Sequence, residues 1–118
     1  MKGYLIDPLE KRVREFNYDG DQEKICHLIG SDFFDTCAIN DAGDAVYVGE
    51  FSQDDEMASK FKIQGHPQVF FGKGVILGVD EDGMTCEPSM TLEEIRSMMT
   101  YTPNPKALMK QLNDISGP

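Results

Sequence analysis

The chain has 118 residues, with 21 Asp and Glu against 11 Lys and Arg for a formal charge of −10 and a pI near 4.4. That length supports one modest core rather than two, and that charge repels phosphate backbones, so direct nucleic-acid binding is not expected. The longest apolar runs, such as Val75-Ile76-Leu77, fall far below a membrane span, so no membrane partner is expected either.

The N-terminal apolar stretch is ended by Asp7-Pro8 and is too short for a signal-peptide core, so the chain is expected to stay in the cytoplasm. Residues 3–7 and 12–18 are strand-like, and Asp7-Pro8 between them is a turn signal. An opening hairpin follows. Asp19-Gly20-Asp21 then precedes residues 22–29, where Ile25, Leu28 and Ile29 recur at helical spacing and Gly30 supplies a stop. Residues 33–40 and 44–51 read as a second hairpin around Asn40-Asp41-Ala42-Gly43, because Asn, Asp and Gly tolerate the positive φ of such turns. Alternation puts Ala45, Tyr47, Gly49 and Phe51 on one face and Val46, Val48 and Glu50 on the other.

Ser52-Gln53-Asp54-Asp55 resembles a capping box and predicts a short helix with Met57 and Phe61 on one stripe. Residues 68–79 return to strand composition, interrupted by Gly72-Lys73-Gly74 as a bulge or bend, and residues 80–83 read as a turn. Thr91-Leu92-Glu93-Glu94 is a capping box that opens a helix with Leu92, Ile95 and Met99 aligned, ending before Pro103. A weaker helical pattern follows over residues 105–115. The predicted class is α+β: one domain over residues 1–102, a mostly antiparallel sheet with short helices on one face, and a helical extension over 103–118.

Several of these segments carry a family resemblance. Residues 2–8, 18–51, 65–83 and 91–99 together resemble a family of small phage and prophage proteins known only as a domain of unknown function. In that family a hairpin like residues 34–48 leads to an acidic-glycine turn, and later to a Gly-hydrophobic-Gly strand like residues 72–78. This chain departs after Val48, where Gly49-Glu50-Phe51-Ser52-Gln53 replaces the acidic turn, and residues 103–118 extend beyond the resemblance. The resemblance implies a viral or mobile-element source, hence a host cytoplasm, and supplies no catalytic residues.

Chemical motifs are sparse. Cys26, Cys37 and Cys86 lack a C-x-x-C spacing, so free thiols are expected and no metal or other cofactor is indicated. Cys26-His27 on one helix points two adjacent side chains about 100° apart, which is poor geometry for a thiol and its base. Asp80-Glu81-Asp82-Gly83 fails as a calcium loop because position 91 is Thr where a closing Glu is needed. No nucleophile or acid–base pair can be named, so the chain is read as non-enzymatic.

Two functional classes follow. The first is an accessory protein that binds a host protein with a basic surface and inhibits or redirects it, in host takeover or anti-defence, through an acidic surface that can mimic nucleic acid. Its contacts would be Asp32, Asp35, Asp41, Asp44, Asp54, Asp55 and Glu56, with Phe51 as an apolar anchor. The second is a binder of a small molecule or nucleotide signal, with Arg12, Arg14 and Lys73 meeting phosphates and Tyr18 and Tyr47 stacking on a base. For that class Tyr4, Arg12, Arg14, Phe16, Tyr18 and Tyr47 are expected to share one sheet face. An unrecognised enzyme stands third. A homodimer through an uncovered strand edge or apolar face is a further partner class.

Overall fold

The computed structural model of the chain describes residues 1–50 and 58–104. In chain order the elements are β1 (Lys2–Asp7), β2 (Arg12–Asn17), α1 (Gln22–Ile29), β3 (Phe34–Ala38), β4 (Asp44–Gly49) and β5 (Lys60–Ile63). They continue with β6 (Val69–Phe71), β7 (Gly74–Val79), β8 (Thr85–Cys86), α2 (Leu92–Met98) and β9 (Met99–Thr102).

Both hairpins form where turn chemistry demands them. The Asp7 carboxylate accepts from the amides of Leu9 (3.1 Å) and Glu10 (3.2 Å), which closes the β1–β2 turn. In the β3–β4 turn, Asn40 Oδ1 accepts from the amides of Ala42 (3.0 Å) and Asp44 (3.1 Å), and Gly43 adopts φ +97°. β7 then inserts between the hairpins, pairing antiparallel with β1 and β4, so the main sheet runs β2-β1-β7-β4-β3, with β8 on the end of β7. A second antiparallel sheet runs β6-β5-β9.

Period-two alternation divides the main sheet between two cores. Tyr4, Ile6, Val46, Val48 and Ile76 meet Phe61, Ile63 and Phe70 of the small sheet and Ile95 of α2. Leu5, Ala45, Tyr47, Val75 and Leu77 meet Ile25 and Ile29 of α1. β7 is therefore buried on both faces, which is why it reads as a continuous apolar run. Each such side chain contributes roughly 1.5–3 kcal/mol by burial.

α1 begins at Asp21, whose carboxylate accepts from the Glu23 amide, and ends at Gly30 in the left-handed region. The amides of Gly30 and Ser31 bond to the carbonyls of His27 (3.3 Å) and Cys26 (3.1 Å), the paired bonds of a Schellman stop. α2 has the reciprocal Thr91–Glu94 capping box expected from the sequence.

The α+β class with antiparallel sheets is what the chain adopts, and four details differ from expectation. The helices lie on opposite faces of the main sheet rather than on one, because Ile25 and Ile95 enter different cores. Phe61 belongs to a strand whose burial alternates, not to a helix stripe shared with Met57. Residues 68–79 form two strands in different sheets, with Gly72 at φ +77° turning the chain between them. α2 ends at Met98, and the β-propensity of Met99-Thr100-Tyr101-Thr102 is satisfied by pairing with β5. The helix expected from Ser52 and the helical extension over 105–115 fall on residues 51–57 and 105–118, outside the described residues.

Candidate functional site

α1 and the entry to β3 bound an open groove of about 430 Å³, lined by Gln22, Glu23, Cys26, Asp32, Phe33, Phe34, Asp35 and Glu50. The Schellman stop of α1 positions it by reversing the chain immediately before Asp32. Two bonds then fix the reversal: the Cys26 thiol donates to the Asp32 carbonyl (3.4 Å) and the Ser31 hydroxyl to the Phe33 carbonyl (2.7 Å). A second concavity, bounded by Glu23, Cys26, His27, Gly30, Ser31 and Asp32, continues the groove along the end of α1.

The groove carries four carboxylates, Glu23, Asp32, Asp35 and Glu50, and among the described residues no Lys or Arg lines it. Among the described residues the ion pair is Arg12–Glu10 on the surface (3.1 Å), so none of the four is paired with a described Lys or Arg. Beside them Phe33 is 65% exposed. An exposed aromatic within a ring of carboxylates combines an apolar contact with a field that attracts cations.

The groove also runs beside a sheet edge. β3 is the last strand of the main sheet. The amide of Ile39 donates to Asp44 (3.0 Å) and that of Glu50 to the Phe33 carbonyl (3.2 Å), so residues 33, 35, 37 and 39 face β4 in hydrogen-bonded pairs. The amides and carbonyls of Phe34, Thr36 and Ala38 consequently point away from β4, where no described strand pairs with them.

The residues singled out for partner contact do not share one place. Asp32 and Asp35 line the groove, while Asp41 is exposed at the tip of the second hairpin. Asp44 is 1% exposed and takes no part in the surface. Its carboxylate accepts from the Ser89 amide (2.8 Å), the Ser89 hydroxyl (2.8 Å) and the Asn40 amide group (3.0 Å). Phe51, Asp54, Asp55 and Glu56 lie outside the described residues.

The phosphate-and-base set is dispersed as well. Tyr18 and Tyr47 are core residues, 3% and 8% exposed, and their ring faces are taken up by packing around α1. Arg12 and Arg14 are exposed on β2, at the far edge of the sheet from β3, with Arg12 paired to Glu10. Lys73 is exposed in the link between β6 and β7. Tyr4 lies on the opposite face from Tyr18 and Tyr47, and its hydroxyl donates to the Met90 carbonyl (2.8 Å).

Sequence reasoning missed Glu23 and Glu50 as neighbours of Asp32 and Asp35, and Phe33 as the exposed aromatic. It also missed a cysteine–histidine contact. Cys37 Sγ lies 3.5 Å from His66 Nε2, and the His66 ring packs on Phe70. Adjacency had drawn attention to Cys26-His27 instead; no spacing signal links positions 37 and 66.

No family model, no curated protein and no solved structure matches this chain. Function must therefore be read from the residues themselves. Among those described, no three His, Cys, Asp or Glu side chains gather as a metal site, and no helix is long and apolar enough to cross a membrane.

Proposed function

We propose that this chain is a non-enzymatic binding protein that takes an extended, basic segment of a partner protein along the groove between α1 and β3, inhibiting or redirecting that partner. The observation that carries this reading is the set of four carboxylates around exposed Phe33, without counter-charges among the described residues. Lys and Arg side chains of the segment would meet Glu23, Asp32, Asp35 and Glu50, and an apolar residue would cover Phe33. The outward amides and carbonyls of β3 offer the segment's backbone a strand to pair with. A second copy of the chain is a poor occupant, because it would set the same carboxylates against one another. Under the resemblance to phage and prophage proteins, the partner is a host protein whose basic site ordinarily meets nucleic acid.

The test is capture from host lysate by the tagged chain at low and high salt, with an Asp32→Lys/Asp35→Lys variant alongside and the eluates assayed for nucleotides. A protein held at low salt, released at high salt and lost from the variant supports the reading. A nucleotide without a protein, or a protein held equally by the variant, overturns it.

A further inference from the structure

We propose that Cys37 is the chain's reactive thiol, with His66 as the positioning residue that donates a hydrogen bond to its sulfur. The site would react with low-molecular-weight disulfides and other soft electrophiles.

The assignment rests on which nitrogen of His66 carries the proton. His66 Nδ1 lies 3.2 Å from the Gln68 amide nitrogen, and a backbone N–H can only donate, so Nδ1 must accept. In the neutral ring the proton is then on Nε2, 3.5 Å from Cys37 Sγ. His66 thus presents an N–H to sulfur rather than a lone pair to the thiol proton. It cannot serve as general base without breaking its bond to Gln68, which separates this pair from a cysteine–histidine catalytic dyad. What the geometry supplies is a fixed donor to a thiolate.

The remaining contacts fit both states of the sulfur. As a thiol, Cys37 can donate to the Ala38 carbonyl (3.7 Å) or to Gln68 Oε1 (3.8 Å). As a thiolate it keeps the His66 N–H, and a half-turn of the Gln68 amide replaces its oxygen with a second donor. The other cysteines have different surroundings. Cys26 donates to the Asp32 carbonyl (3.4 Å) beside Glu23 and Asp32, so its sulfur meets a carbonyl acceptor rather than an N–H donor. Cys86 sits in β8, paired with Gly78, and the cysteine–histidine hydrogen bond found among the described residues is at Cys37.

The step is thiol–disulfide exchange. The Cys37 thiol releases its proton to solvent; the thiolate attacks one sulfur of the disulfide, a new sulfur–sulfur bond forms as the old one breaks, and the departing thiolate leaves with the bonding pair.

The experiment measures modification rates of the full chain by an aromatic disulfide whose released thiolate is coloured, with the modified cysteine identified by mass spectrometry. Cys37 is expected to react first of the three. His66→Ala is expected to slow Cys37 about tenfold, the size of a hydrogen bond to a charged group, and His66→Gln, whose amide N–H reaches the position of Nε2, to restore part of the rate. A ring that merely covered the sulfur would give the opposite sign, since removing it would expose Cys37 and speed its reaction. Faster or unchanged reaction in His66→Ala, or prior reaction at Cys26 or Cys86, overturns the proposal. Should His66→Ala fail to fold, the order of reaction among the three cysteines in the wild-type chain and the His66→Gln rate decide it.

Discussion

Asp44 and Ser89 are joined by two hydrogen bonds of 2.8 Å, one from the Ser89 amide and one from its hydroxyl, across 45 residues of sequence. The second hairpin is thereby tied to the segment that leads into α2. A buried carboxylate is tolerable only with such donors, and removing it leaves them unpaired. Asp44→Ala should lower stability by about 2–4 kcal/mol, whereas Asp41→Ala, at an exposed turn position, should fall within about 0.5 kcal/mol of wild type. Urea unfolding of the two variants checks the contrast.

Gly43 is a second sensitive point in the same hairpin. Its φ of +97° strains any L side chain, and a Cβ there would collide with the Val79 carbonyl, which the chain brings close by bonding the Val79 amide to Gly43 (2.8 Å). Gly83 has a similar φ of +80° but open space around it. Gly43→Ala should cost about 2–3 kcal/mol and Gly83→Ala about 1 kcal/mol, the difference being the collision. Thermal or urea midpoints would report it.

Tyr4, Tyr18, Tyr47 and Tyr101 have hydroxyls pushed above the usual tyrosine range, chiefly because burial penalises the phenolate. The folded chain holds those protons where the unfolded chain has begun to lose them. Stability should therefore be intact below about pH 10 and fall as pH rises through the raised folded values. Tyr4→Phe should cost about 1 kcal/mol at neutral pH, through loss of the bond to Met90, yet make the alkaline decline shallower. Urea midpoints from neutral to strongly alkaline pH, followed with tyrosinate absorbance, test both signs.

The elements legible in the sequence are those set by neighbours in the chain. Asp7-Pro8, Asn40-Asp41-Ala42-Gly43, Gly30 and Thr91–Glu94 each satisfy backbone groups a few residues away, so their turns and caps can be read locally. Lys60-Phe61-Lys62-Ile63 alternates regularly, yet Phe61 also stands four residues from Met57, and a four-residue strand is too short to exclude a helical stripe. Its identity depends on β9, whose register sets Lys60 opposite Thr102.

The site was legible only in part for the same reason. Asp32 and Asp35 follow directly from the sequence, but Glu23 and Glu50 join them only once α1 packs over β4 and β7 and β4 returns beside β3. Asp44 looked like another turn acid, since nothing local announces that the Ser89 amide and hydroxyl arrive to bury it. Tyr18 and Tyr47 looked available for stacking, and the position of α1 removes them from the surface.

The most direct measurement is the affinity of the captured protein for the wild-type chain, for Phe33→Ala and for Asp32→Lys/Asp35→Lys, each at low and high salt. Binding through the α1–β3 groove predicts a loss of about tenfold or more for Phe33→Ala at both salt concentrations. It predicts a loss of about a hundredfold for the charge reversal at low salt, shrinking as salt screens the wild-type attraction. Affinities unchanged in both variants, or insensitive to salt, would contradict the groove as the binding surface.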